Sequence, residues 1–365
     1  MAASRAGGGA AGSAGAGGLM RILIATDAWP PQINGVVRTL LSVAEAMRRQ
    51  GATVSFLSPD GFPTVPVPTY PGLRLALPSA GKIARRIAEV QPDVVHIATE
   101  GPIGHMVRRH CLKHGVPFIT SYTTRFPEYI SARMPIPEAL SYAVLRRFHN
   151  AAAVTMVSTP SLIEELSQRG FKHLGMWSRG VDTDLFRPER AIDLKLPRPI
   201  FITVGRVAVE KNLEAFLNLD LPGTKAVVGN GPELPRLREQ FPEAKFFGHL
   251  EDENLAAHIA AADVFVFPSR TDTFGIVQLE ALASGVPVAA LPVTGSRDVI
   301  GGSAVGVIDE DLRAASLKAL QISREACRAY ALSYSWERSA SQYLGHARQA
   351  ARMAAPADGV AALSA

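Results

Sequence analysis

Short runs of consecutive apolar residues alternate with longer stretches of helical spacing along the whole chain. In the first half the apolar runs fall at 21–26, 53–58, 93–98, 117–121 and 153–158. Between the first two, Val36 to Gln50 repeats its apolar positions at helical spacing and closes on Gly51, a C-cap signal. After Pro197-Arg198-Pro199 the pattern restarts, with runs at 200–204, 225–228, 245–247, 263–267 and 287–290. Runs without a polar face suit strands buried on both sides, and their alternation with helices predicts parallel sheets covered by helices. The expected class is α/β, with two doubly wound Rossmann-like domains facing each other across a cleft. Ligands are then expected at the carboxyl ends of the strands. The expected divisions are a disordered extension over 1–19, a first Rossmann-like domain over 20–196 and a second over 197–334. A helix over 335–355 is expected to cross back to the first domain, followed by a disordered tail over 356–365.

The extension, MAASRAGGGAAGSAGAGGL, is Gly/Ala/Ser low complexity and lacks the apolar core of a signal peptide. Apolar residues make up 47% of the chain and charged residues 19%, a balance that allows a substantial core. Cys111 and Cys327 are the only cysteines, too few and too far apart for a disulfide framework, which fits a reducing cytosol. No apolar run reaches membrane-spanning length. Charge is uneven: residues 1–180 carry a net +9 and residues 181–365 a net −4. A basic half invites an anionic partner, and with no zinc-finger spacing or aromatic-basic motif to favour nucleic acid, a membrane surface or acidic substrate is the better fit.

The most informative segment is Arg270-Thr271-Asp272-Thr273-Phe274-Gly275-Ile276-Val277-Gln278-Leu279-Glu280. It follows the apolar run Val264-Phe265-Val266-Phe267, and helical spacing begins at Ile276, so it reads strand, polar loop, helix. A helix N-terminus offers unpaired N–H groups and a positive dipole end to a phosphate. An acid in the loop suits sugar hydroxyls and an acid on the helix suits a ribose, so Asp272 and Glu280 together read as a nucleotide-sugar site. Gly205-Arg206 through Glu210-Lys211 lies at a second strand-to-helix junction, where Arg206 and Lys211 can clamp a diphosphate. Gly35, between the first strand and first helix, allows close backbone approach to phosphate. Gly229-Asn230-Gly231-Pro232 is a further turn after a strand.

The acid-x7-Glu pattern of Asp272 and Glu280, with Arg206 and Lys211, resembles family 4 of the retaining glycosyltransferases, which have the GT-B fold. Asp272 stands where Glu is usual, and in its Ser-Arg-Thr-Asp-Thr-Phe-Gly setting the chain is similar to the lipid-directed mannosyl, glucosyl and sulfoquinovosyl transferases. The resemblance implies a metal-independent hexosyltransferase with no cofactor beyond its donor: UDP-glucose, UDP-glucuronate or GDP-mannose. The implied acceptor is diacylglycerol or a glycolipid. Arg206, Lys211 and Asp272 are the implied catalytic residues, and Gly35, Gly205, Gly229, Asn230, Thr273, Phe274, Gly275, Ile276, Val277 and Glu280 the implied donor-binding set. Retention is explained in this family by front-face attack, with the leaving phosphate as base, so that no protein base is needed.

His96, Glu100 and Thr123 are the acceptor-side candidates. Thr123, in Ser121-Tyr122-Thr123-Thr124, stands where the family often has a His near the donor sugar. That departure keeps a non-catalytic nucleotide-sugar-binding relative as an alternative, beside a transferase with a soluble or polysaccharide acceptor. His110, Cys111 and His114 share helical spacing but have no acidic partner, so a polar helix face is expected rather than a metal site. Lys82, Arg85 and Arg86 lie opposite Ile83, Ile87 and Val90 on one predicted helix, a basic amphipathic arrangement that suits an anionic membrane. The expected location is therefore cytoplasmic, peripheral at the inner face of the plasma membrane.

Overall fold

The computed structural model describes residues 19–30, 35–67, 70–131, 137–270 and 274–354. The first sheet is built from β1 (Arg21–Ala25), β2 (Thr53–Leu57), β5 (Val94–Ile97), β6 (Phe118–Tyr122), β7 (Thr155–Val157) and β8 (Leu174–Met176). An antiparallel hairpin, β3 (Thr64–Val67) and β4 (Tyr70–Ala76), stands apart from it. Helices α1 (Gly35–Arg49), α2 (Ala80–Val90), α3 (Pro102–His114), α4 (Phe126–Ser131), α5 (Glu138–His149) and α6 (Pro160–Gln168) connect the strands. The order is β2-β1-β5-β6-β7-β8, all parallel.

The second sheet repeats the plan with β9 (Ile200–Val204), β10 (Thr224–Val228), β11 (Lys245–Gly248), β12 (Val264–Phe267), β13 (Val288–Ala290) and β14 (Gly306–Ile308). Its helices are α7 (Leu213–Leu217), α8 (Leu234–Gln240), α9 (Asp252–Ala260), α10 (Ile276–Ala283), α11 (Thr294–Ile300), α12 (Leu312–Ala319) and α13 (Arg324–Ala331). The parallel order β11-β10-β9-β12-β13-β14 reverses direction between β9 and β12. The first sheet reverses between β1 and β5 in the same way. These switch points open crevices at the strands' carboxyl ends, where an α/β sheet binds its ligands.

Fully buried runs explain the central strands: Val94–Ile97 and Val264–Phe267 present no exposed face, as strands sandwiched between helix layers must. Helix α14 (Trp336–Ala354) returns from the second sheet to the first. Its Ala340, Tyr343, Leu344 and Ala347 pack into one core with Ile22, Ile24 and Met156. Arg49 on α1 donates to Glu337 at 2.8 Å along the same seam.

The hydrophobic pattern did not signal the β3–β4 hairpin or the short edge strands β8 and β14. β8 and β14 each contain a glycine, which breaks up their apolar run. Apart from Leu19, the segments expected to be disordered, 1–19 and 356–365, lie outside the described residues, as do the site positions Asp272 and Thr273.

Candidate active site

The loops that follow β9, β10 and β12 converge at the second sheet's switch point. Gly205 follows β9 with φ 155°, and Gly229 follows β10 with φ 143°. A Cβ on Gly229 would run into the carbonyl oxygen of Gly205, so the glycine lets the loops after β9 and β10 lie against each other. Val207 N donates to the Asn230 carbonyl at 2.9 Å, and Asn212 Nδ2 donates to the Pro268 carbonyl at 3.0 Å. These bonds tie the Arg206–Lys211 loop both to the β10 turn and to the loop after β12. Arg206 Nη2 pairs with Glu210 Oε1 at 2.5 Å, and that carboxylate is 7% exposed. Glu210 therefore orients Arg206, a role the sequence did not single out. Lys211 ends the 3₁₀ turn Val209–Lys211, just before α7.

Gly275 takes φ 74° and starts α10 without any side-chain cap. The αL backbone turns the chain sharply into the helix and leaves its N-terminal N–H groups facing the crevice. On α10, Glu280 is buried and ion-paired with Arg38 of α1 at 2.8 Å, while its Oε2 is buried without a partner. Burial raises the Glu280 pKa, and Arg38 counteracts that rise. Arg38 comes from the opposite domain and was also unmarked in the sequence. Ile276, at the first turn of α10, packs against the core cluster of the first domain. Arg125 Nη2 bonds Thr294 Oγ1 at 3.3 Å, and Ser161 Oγ donates to Asp298 at 2.7 Å, so the two domains touch along both walls of the cleft.

Several expected donor contacts are placed differently. Phe274 is buried in the second domain's core and Val277 packs against that core, so only their backbones face the crevice. Asn230 uses its side chain locally, accepting from Gly231 N at 2.8 Å. A Cβ on Gly35 would meet nothing within 4 Å, so in this arrangement glycine is not sterically required there.

The acceptor-side candidates divide. His96 is wholly buried on β5, with Nε2 2.9 Å from Ser121 Oγ and its ring against Tyr343 and Trp177. It cannot reach an acceptor and is a core residue. Its buried, desolvated ring is held neutral, with the pKa lowered to about 3. Glu100 lies at the end of β5, with a 3.0 Å bond to the buried His149 and its Oε2 buried without a partner. Nearby, Asp27 accepts from the Ile103 and Gly104 amides at the start of α3 and from the Thr99 hydroxyl. Thr123 follows β6 and is half-buried.

Cys111 is buried, its thiol pushed up to about 12 by desolvation, while His110 and His114 stack on each other. Two Asp-x-Asp triplets are local structure. Asp182 accepts from the backbone of Asp184 and Leu185, and Asp309 from that of Asp311, which caps α12. Among the described residues no group of three or more His, Cys, Asp or Glu could hold a metal ion.

Two doubly wound domains with facing switch points form the GT-B architecture of glycosyltransferases. The structure superposes on sucrose-phosphate synthase from Thermosynechococcus elongatus with TM-score 0.75, at 18% identity, over 90% of this chain and 98% of that one. It also superposes on Anabaena Alr3699/HepE, solved with UDP and glucose, with TM-score 0.67 at 14% identity, over 89% of this chain and 99% of that one. These likenesses concern the fold. In sequence, residues 33–185 match the model of Glycosyltransferase Family 4 and residues 198–322 that of Glycosyl transferases group 1. The chain is 30% identical to a GDP-mannose-dependent alpha-mannosyltransferase of Mycobacterium tuberculosis, over 79% of this chain and 83% of that protein. It is 32% identical to sulfoquinovosyl transferase SQD2 of Arabidopsis thaliana, over 66% of this chain and 50% of that protein. It is 26% identical to an alpha-monoglucosyldiacylglycerol synthase of Streptococcus pneumoniae, over 82% of this chain and 78% of that protein. The chain belongs to glycosyltransferase family 4. It is a hexosyltransferase that takes its sugar from a nucleotide-sugar, similar to the lipid-directed members of the family.

Proposed function

We propose that this enzyme transfers a hexosyl group, with retention, from UDP-glucose, UDP-glucuronate or GDP-mannose to a lipid acceptor such as diacylglycerol or a glycolipid. The observation that carries the donor side is Glu280, a buried carboxylate with one unpartnered oxygen on the helix that Gly275 opens. A ribose hydroxyl donating to Oε2 would supply the missing bond. Arg206 and Lys211 hold the diphosphate and stabilise the charge that develops on it as the glycosidic bond breaks. Asp272 receives hydroxyls of the transferred sugar. The leaving phosphate takes the acceptor proton on the same face, so a Thr at position 123 is compatible with turnover.

Two features support the lipid side. Relatives named for glucosyldiacylglycerol and sulfoquinovosyl transfer are 26% and 32% identical to the chain, and the basic first half carries exposed apolar side chains. Leu140 and Val144, one turn apart on α5, are 60% and 52% exposed beside the basic last turn of that helix. Helix α2 contributes charge alone, because Ile83 and Ile87 are buried against the sheet. Lys82 donates to the Gly61 carbonyl and Arg86 pairs with Glu89. No described helix is long and apolar enough to cross a membrane.

The test is a thermal-shift screen of UDP- and GDP-sugars, followed by transfer to diacylglycerol in mixed micelles. Stabilisation by one nucleotide series and formation of an α-linked glycolipid are expected. Binding of a nucleotide-sugar without transfer would favour the non-catalytic reading. Transfer only to a soluble acceptor would overturn the lipid assignment.

A further inference from the structure

Between the two domains lies a cavity of about 280 Å³ lined by three arginines, Arg125, Arg270 and Arg297, and by Glu128. Arg125 is 11% exposed on its side chain and is fully committed. It pairs with Glu165 at 2.7 Å and Glu128 at 3.1 Å, and it reaches Thr294 of the opposite domain at 3.3 Å. It therefore braces the wall. Arg270 and Arg297 are exposed, and among the described residues neither side chain has a hydrogen-bond or ion-pair partner. Ser161 and Thr294 add hydroxyls to the lining. The lining carries these three arginines against one acid, Glu128, which Arg125 engages, while Asp298 next to Arg297 accepts from Ser161, so positive charge is in surplus there. Guanidinium forks match carboxylate, sulfonate and phosphate geometry.

We infer that this cavity is an anion-recognition subsite, in which Arg270 and Arg297 read a negatively charged group on one of the two substrates. The inference rests on the transferase reading above and narrows its substrate class. Arg270 stands two residues before Asp272, and Arg125 two residues after Thr123. The lining thus includes residues close in sequence to both candidates for the transferred sugar. Its occupant is an acidic substituent, carried either by the hexose (a uronate or sulfonated sugar) or by the acceptor (a phosphorylated headgroup). A neutral hexose passed to a neutral acceptor leaves both guanidinium groups without their anion.

The experiment compares charged and neutral members of matched pairs on the full chain. On the donor arm, UDP-glucuronate is set against UDP-glucose, and GDP-mannuronate against GDP-mannose, by calorimetric affinity and by transfer. On the acceptor arm, phosphatidic acid is set against diacylglycerol in mixed micelles. One arm is expected to favour the charged member by on the order of tenfold or more in kcat/KM or affinity. Arg270→Gln with Arg297→Gln should collapse that preference, and Arg297→Lys should restore part of it, with melting temperature reporting the fold. Preference on the donor arm identifies the sugar as the source, and on the acceptor arm the headgroup. Equal affinity and turnover within every pair, or loss of both members alike in the double variant, overturns the inference. Failure of every nucleotide-sugar to bind would instead bring down the transferase reading on which it stands.

Discussion

Arg38 of α1 and Glu280 of α10 form a 2.8 Å ion pair that joins the two domains across the cleft. The guanidinium occupies Oε1 and leaves Oε2 buried and unpartnered. One carboxylate can thus serve the domain contact and a ribose together. Burial raises its pKa and Arg38 lowers it. Accepting from ribose hydroxyls requires the ionised form, so nucleotide affinity should fade as pH falls through the Glu280 pKa. Arg38→Ala removes the lowering influence, and the acid limb of nucleotide affinity is expected to move to higher pH. Calorimetric titration with UDP or GDP over the acid range measures this. A limb that stays in place would mean that Arg38 does not tune Glu280.

In the proposed site the two acids, Glu280 and Asp272, divide the donor between them. Glu280→Ala should weaken binding of the free nucleotide. Asp272→Ala should spare the free nucleotide and weaken only the nucleotide-sugar. Equal losses of free-nucleotide affinity in both variants would contradict the assigned roles.

The proposed diphosphate clamp, Arg206 with Lys211, would act on the transition state. Arg206→Ala or Lys211→Ala should each slow transfer by on the order of a hundredfold or more, with folding intact by circular dichroism. Glu210→Gln should lower the rate less, since it releases Arg206 from its 2.5 Å partner without removing the charge. Near wild-type turnover in both alanine variants would place the diphosphate elsewhere.

His96 ties the first domain's stability to pH. Its pKa is lowered by burial, chiefly, and by the nearby Arg179, from 6.5 in the unfolded chain to about 3. A folded pKa below the unfolded value means that the contribution is full above pH 6.5 and is lost as pH falls toward 3. One such proton gives a slope of at most about 1.4 kcal/mol per pH unit. His96→Gln is expected to flatten the acid slope of chemical-denaturation stability while donor affinity at neutral pH persists. An unchanged slope would show that other groups carry the acid sensitivity.

The basic half is expected to bind anionic vesicles and to release them as salt rises, since exposed charges are screened over about 10 Å at 0.1 M. Each basic residue at such a surface contributes roughly 1 kcal/mol. Replacing Lys82, Arg85 and Arg86 with Ser should weaken co-sedimentation, by less than three full contributions because Arg86 is shared with Glu89. Leu140→Ser with Val144→Ser should weaken it further at high salt, where only apolar contact remains. Absence of co-sedimentation at low salt would point to a soluble acceptor.

The order of strands and helices was legible because local patterning sets it. Val264–Phe267 is apolar at every position, Gly275 frees the backbone, and Ile276–Ala283 folds as the helix its spacing predicts. The placement of Arg206, Lys211 and Glu280 at strand-to-helix junctions was legible as well, because those junctions follow from the local pattern. His96 was misread for the complementary reason. A strand end looks the same in sequence whether it opens to the cleft or is covered, and what covers it is Tyr343, far away in the chain.

The sequence by itself determined two doubly wound units and the donor-side motif, since both arise from interactions among residues close in the chain. Tertiary structure alone decided that Arg38 neutralises Glu280, that Glu100 engages His149, and that Arg125, Arg270 and Arg297 surround one cavity. Each of those relationships joins residues separated by tens to hundreds of positions. They exist only because the sheets, the returning α14 and the closed cleft bring distant side chains within a few ångströms, where burial and charge govern them and local spacing does not.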